Sequence, residues 1–233
     1  MVFVACAMSA PPATFGGGQG IAFAQSNPKT VRSKLEIKNW RQQAVKHLRV
    51  GRTPQTSAPL RPDLLYGAVG WRCPRLNNYW CLKMRSSGWP GAVGQDGDGH
   101  AAFSTARFGA AAAVRLLRTY YLVRNLRTVH DIVCRYAPDA DCIGSKAGKD
   151  DRGRCQLGAN QCTSYAFRIA AELGTCTVCD AQLFDSRQRA TANLQTMLRH
   201  LSHREISHFS RGIRIYPTDQ LIKDGIATER RLP

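Results

Sequence analysis

The cysteines fall in four close pairs, "CPRLNNYWC", "CRYAPDADC", "CQLGANQC" and "CTVC", and no other feature limits the possible folds as much. They are Cys73 and Cys81, Cys134 and Cys142, Cys155 and Cys162, and Cys176 and Cys179; Cys6 stands apart near the start. An even set at short spacings is the pattern of a disulfide framework made in an oxidising compartment. Pairing of each cysteine with its neighbour is expected, because each pair flanks a short loop that one bridge would pin. The sequence itself leaves the connectivity open. A zinc knuckle is the rival reading of "CTVC", with Cys155 and Cys162 completing a thiolate site, but a second C-x-x-C is missing and the 155–162 spacing is wide. A thioredoxin-type redox pair is weaker still, since no strand-then-helix pattern surrounds it. No metal and no other cofactor is expected.

Residues 1–28 carry no charge, whereas Lys29 opens a strongly basic chain. The apolar "VFVACAMSA" and the small-x-small "AFA" at 22–24 read as a signal peptide over 1–24, released before Gln25. A positive n-region is missing, and Pro11 and Pro12 interrupt the apolar run. No later stretch approaches the ~18 apolar residues of a membrane span. The expected location is therefore secreted or periplasmic.

Lys and Arg number 33 against 16 Asp and Glu, a net charge of +17. Such a charge attracts polyanions and repels a second copy, so a monomer is expected. Nucleic acid, acidic envelope polymers and anionic lipid all qualify as partners. The arginines run from Arg32 to Arg231 without a dense block, which argues against a dedicated nucleic-acid arm.

Periodicity predicts a mainly α, single compact helical domain with local disulfides and an irregular Trp/Gly-rich segment over 71–100. A basic helix over 29–50 ends at Gly51, and a Pro-rich linker follows, so 25–63 precedes a cysteine-rich helical domain at 64–215; an alternating "IRIY" strand then leads into a short helix or C-terminal tail at 216–233. Within the domain the strongest helix starts at Ser104 and Thr105 and places Phe108, Ala112, Leu116, Tyr120 and Val123 on one face. Thr128 caps a second helix that Pro138 stops; a third runs from Thr163 to the Gly174 cap. A fourth starts at Asp185, with Leu194, Met197, Leu198 and Leu201 as its core stripe.

The stretch "WPGAVGQDGDGHAAFSTARFG" at 89–109 is the most unusual local sequence. A calcium loop is excluded, because His100 takes a ligand place, Ala101 replaces the glycine and Arg107 replaces the closing glutamate. No lysine or serine follows the glycines at the distance a phosphate loop needs, which argues against one. What remains is a tight turn that projects Asp96, Asp98 and His100 beside a helix, forming one lip of a cleft. The "HLSHREISH" histidines, His200, His203 and His208, read as an exposed basic helix end rather than a metal site.

Ordered motifs suggest kinship. "RLNNYWCLK", "WPGAVGQDGDGHAAF", "FGAAAAVRLLRTYY", "TVHDIVCRYAP" and "YAFRIAAELG" follow one another over 75–174. This series resembles a family of small bacteriophage virion-associated structural proteins, also found in prophages. Its members run R-x-N-N-P-G-N-I-R, W-x-G, D-x-x-G-F-A-x-F, G-x-R-A-x-x-x-L-L-x-x-Y, T-V-x-x-I-x-x-R-Y/W-A-P and a helix ending L-G. The resemblance implies a lysozyme-like α+β variant of the helical fold. It also implies an acid on a helix ending M-I-R-H-E-N-G. Here Tyr79, Trp80 and Cys81 replace Pro-Gly-Asn, a cysteine-rich insertion follows "CRYAP", and Leu201 stands in the glutamate's place. Glu205, one turn later, reads as a solvated helix-end acid, and Glu172 as a surface one.

The resulting expectation is a basic envelope protein that binds peptidoglycan or another anionic glycan. Asn77, Asn78, Tyr79, Trp80, Trp89 and His100 would supply stacking and hydrogen bonds to sugars. Muramidase-type hydrolysis with Asp96 or Asp98 as the carboxylate is the second expectation, and non-specific nucleic-acid binding by charge is the third.

Overall fold

Four consecutive alanines shape the centre of the molecule. In the computed structural model, which describes residues 35–65, 72–142, 150–155, 158–207 and 214–232, Ala110–Ala113 lie on α3 (Ala106–Arg118) and are all buried. Small side chains let neighbouring elements approach this helix closely. α7 (Asp219–Glu229) does so at Gly225, where an added Cβ would stand 2.6 Å from the Cβ of Ala110. α3 then widens into a π-helical turn over Thr119–Val123, closed by the Arg124 N–H on the Thr119 carbonyl at 2.9 Å.

The helix starts where expected but not by the expected cap. Neither Ser104 nor Thr105 caps it; instead Gln43 Oε1, on α1 (Trp40–His47), accepts the Ala106 N–H at 3.1 Å. α4 (Val129–Tyr136) does use the predicted Thr128, whose hydroxyl accepts the Asp131 N–H at 3.0 Å. α5 (Cys162–Leu173) ends on Gly174 at φ 64°, the left-handed cap that its glycine allows. α6 (Ala192–Ser207) starts later than Asp185, because that aspartate closes a turn of its own, described below. Leu194, Met197, Leu198 and Leu201 are its buried stripe, as predicted.

Two segments read as appendages belong to the fold. β1 (Leu48–Val50), expected as the end of a helix, lies between β2 (Ala58–Pro59) and β5 (Ile215–Pro217), antiparallel to both. Val50 stands opposite Ile215 on one side and Ala58 on the other. The 51–63 stretch is thus no free linker, since Leu60 is buried and donates its N–H to the Leu48 carbonyl at 3.1 Å. Of the short helix or tail expected over 216–232 the structure has the helix: these residues complete β5 and form α7 on the central helix. Local periodicity missed β1 and β2 because each is only two or three residues long, whereas the alternating "IRIY" at 213–216 does mark β5.

All eight cysteines from Cys73 onward form disulfides. Cys73–Cys81 and Cys176–Cys179 pair as neighbours, as expected. The other four do not: the bonds are Cys134–Cys162 and Cys142–Cys155, one nested inside the other. The cause is helix packing, since α4 lies against α5 and brings Cys134 to the first residue of that helix, Cα to Cα 4.9 Å. Cys142 is then left facing Cys155 across the outer loop, where Asp141 and Asn160 share a backbone hydrogen bond at 2.9 Å.

The architecture is mainly α, with β3 (Ala92–Gln95) and β4 (Ala101–Phe103) as a hairpin inside the irregular segment and α2 (Arg72–Arg75) leading into it. Among the described residues no helix is long and apolar enough to cross a membrane. The expected signal peptide, Cys6 and His208 lie outside the described residues.

Candidate functional site

The Asn-Asn-Tyr run is internal scaffold rather than a sugar-facing surface. Asn77, Asn78 and Tyr79 are each 0% exposed. The Asn78 amide donates to the carbonyls of Leu82 and Ala101 at 2.9 and 2.8 Å, and its Oδ1 accepts the Leu82 N–H at 2.9 Å. Asn77 Nδ2 donates to Asn39 Oδ1 at 2.9 Å and to the Phe103 carbonyl at 3.2 Å. Buried amides so used replace missing ladder bonds in an irregular segment. Burial pushes the Tyr79 phenol far above its ordinary range.

The "DGDGH" stretch is a turn with a defined hydrogen-bond pattern. Asp96 Oδ1 accepts the amides of Asp98 and His100 at 3.0 and 2.8 Å; the Asp96 N–H donates to the His100 carbonyl at 2.9 Å and the Gly99 N–H to the Asp96 carbonyl at 3.0 Å. The same four bonds recur at Asp150–Arg154 and Asp185–Arg189. Each turn carries a positive φ at its fourth residue, Gly99 at 80°, Gly153 at 75° and Gln188 at 58°. In the latter two the closing arginine also donates its Nε to the same aspartate, at 2.9 and 2.7 Å. His100 cannot supply a guanidinium, and Arg72 does so from α2, at 3.5 Å from Asp96 Oδ2 and 2.5 Å from Asp98 Oδ2.

Both aspartates are therefore occupied with holding the turn. Burial alone would raise the Asp96 carboxyl, but the His100 amide and its neighbours outweigh it and hold the group below the usual range. Asp96 is thus held as a carboxylate. His100 is 8% exposed, and burial, helped by Lys83, lowers it to about 4, so its ring is neutral.

Beside this turn opens a cleft of about 890 Å³. Its walls come from Arg72 and the 80–85 segment, Trp89, the end of α3, the 136–142 turn after α4, the start of α5 and the end of α6. Trp80, Trp89, Tyr120, Tyr136 and Tyr165 give it aromatic walls, and Arg72, Lys83, Arg85 and Arg204 give it positive charge. Trp80 and Trp89 are nearly fully buried, at 1% and 5% exposed, and their indole N–H groups donate to the Leu198 and Lys83 carbonyls at 2.8 and 2.9 Å. Arg85 covers the Trp89 ring at 4.7 Å.

Two acids line the cleft among the described residues, Asp141 and Glu205. Glu205 is no solvated helix end: it is half-buried on α6, and loss of solvent pushes its carboxyl up to about 7, against the opposing pull of Arg204 and Lys83. Tyr136 and Tyr165 stand near enough that the Glu205 charge raises both phenols further, beyond the effect of their own burial. Their hydroxyls donate to the Trp80 and Leu201 carbonyls. Periodicity could have found this residue, since Leu198, Leu201 and Glu205 follow at i, i+3 and i+7 on one helix face. Leu201 itself, which stands in the place of the phage family's glutamate, is core.

The helix-end histidines are also placed differently from expectation. His203 stacks on Tyr216 at 4.4 Å with its Nδ1 near the Ile215 carbonyl and the Ser207 hydroxyl, and His200 pairs with the exposed Glu172 at 3.5 Å. They tie α6 to β5 and α5. No protein-family model matches the chain, and no curated protein matches it.

Proposed function

We infer that the cleft binds an anionic envelope glycan and that Glu205 is the general acid that cleaves it, a muramidase-type hydrolysis. The observation that carries this reading is a half-buried carboxyl, Glu205, on the wall of a basic cleft with aromatic walls, where burial raises it above the ordinary carboxylate range. A glycosidic oxygen is a poor leaving group until protonated, and an acid that keeps its proton near neutral pH removes that barrier. Desolvation supplies the proton-retaining environment. Asp141, on the same cleft, is the second carboxylate that such hydrolysis ordinarily requires.

The remaining cleft residues suit the substrate class. The tyrosines of the cleft wall offer apolar contact to sugar rings, while Lys83, Arg85 and Arg204 offer hydrogen bonds and charge to acidic substituents. The four disulfides fit work outside the cytosol, at the envelope.

The test is release of reducing ends from purified peptidoglycan by the native chain and by Glu205→Gln. Loss of about 10²–10⁴-fold in rate with retained binding to the sacculus is expected. Cleavage unchanged in Glu205→Gln would overturn the catalytic assignment. Retention on DNA equal to that on peptidoglycan, with the same salt dependence, would reduce the binding to ion exchange.

A further inference from the structure

On the face of the molecule where α4 meets α5, His130, Cys134 and Cys162 place their ligand atoms all within 4.8 Å of one another. We propose that reduction of the Cys134–Cys162 disulfide converts this cluster into a binding site for a thiophilic divalent cation such as Zn²⁺, with His130 Nε2 and the two sulfurs as ligands.

The geometry of the oxidised protein already approaches the site. His130 and Cys134 are four residues apart on α4 and so share one face, and Nε2 lies 3.5 Å from the Cys134 sulfur. A tetrahedral zinc with its usual Zn–S and Zn–N bond lengths has an S···N edge of roughly 3.6 Å. The sulfurs need only part to van der Waals contact, roughly 3.8 Å, which is also the S···S edge of such a site. Breaking the covalent bond therefore moves them toward the metal geometry.

The surroundings favour each ligand in its binding form. His130 Nδ1 lies 3.7 Å from Asp131 Oδ1, a carboxylate that can orient the ring by accepting from Nδ1–H once Nε2 binds the metal. Cys162 is the first residue of α5, a 12-residue helix whose amino end stabilises a thiolate. Thr163 Oγ1, 3.4 Å from Nε2, borders the open side. The His130 side chain is 40% exposed, so an ion has access.

The balance is simple. A dithiol reductant gives two electrons and two protons to the Cys134–Cys162 bond and becomes a cyclic disulfide itself. Zn²⁺ then displaces the two thiol protons to solvent, forming two Zn–S bonds and one Zn–N bond. The metal replaces the cystine as the tie between α4 and α5.

The test uses the full chain, reduced under nitrogen with a phosphine and titrated with Co²⁺ alone. One equivalent should give a thiolate-to-cobalt charge-transfer band and the visible bands of tetrahedral cobalt. His130→Ala, a surface change that leaves the disulfide intact, should weaken binding at least tenfold; Cys134→Ser/Cys162→Ser should abolish it, while Cys176→Ser/Cys179→Ser should not. Metal binding to such sites drives their folding, so the bands should form even if the reduced chain has lost helical signal. Absence of the bands, or bands indifferent to His130→Ala, overturns the proposal, as does equal cobalt binding by the oxidised protein.

Discussion

Asp96 Oδ1 accepts the backbone N–H of His100 at 2.8 Å, and that bond fixes the turn at one lip of the cleft. The relationship explains why a glycine-rich acidic stretch that resembles a metal loop is none. One oxygen of the aspartate is used by backbone amides and the other is met by Arg72.

Asp96→Ala should therefore act through stability. It strands two amides of a partly buried turn, at about 1–3 kcal/mol. Asp96→Asn, which keeps an acceptor for the amides but loses the charge facing Arg72, should cost less. Denaturant midpoints of the two variants measure this. A stable Asp96→Ala that has lost glycan cleavage would instead mark the aspartate as catalytic.

Glu205 and His100 should tilt the pH dependence of stability in opposite directions. The Glu205 carboxyl is raised to about 7 in the folded chain, above its ordinary value near ~4.3, so the native state holds a proton that the unfolded state releases. Its contribution is present below the unfolded value and is lost as pH rises through 7. His100 is lowered to about 4, below its ordinary ~6.5. Its contribution is present above the unfolded value and is lost as pH falls toward 4. Urea titrations at a series of pH values should show Glu205→Gln removing the loss on the neutral side, and His100→Asn reducing the loss on the acid side.

The contact between α3 and α7 admits no side chain at Gly225, where an added Cβ would stand 2.6 Å from Ala110 Cβ and 3.0 Å from its carbonyl carbon. Gly225→Val should cost about 1–3 kcal/mol or more by overpacking. Thermal unfolding reports it. An unchanged midpoint would mean that α7 is not seated on the central helix.

Peptide mapping without reduction should recover Cys134 linked to Cys162 and Cys142 linked to Cys155. Recovery of Cys134 with Cys142 would contradict the packing of α4 on α5.

Legibility in the sequence followed the range of the interaction. α4 was readable because Thr128 caps it three residues on and Pro138 lies just beyond its end. The buried stripe of α6 was readable because it repeats within one helix. By contrast, Gln43 capping α3 across 63 residues, and β1 pairing with β5 from the far end of the chain, leave no local trace. Candidate site residues divided the same way. Trp80, Trp89 and His100 do line the cleft, but Asn77, Asn78 and Tyr79 proved internal, since a polar residue in a glycine-rich segment can serve backbone or ligand equally well. Periodicity places Glu205 on the Leu198–Leu201 face, but the cleft that it lines is assembled from other parts of the chain, so its chemistry is not legible there.

The account rests on the state of one carboxyl group. A ¹³C-detected NMR titration of the Glu205 side chain, assigned by comparison with Glu205→Gln, measures it directly. The account predicts a midpoint near 7; a midpoint in the ordinary glutamate range, ~4.3, would contradict it.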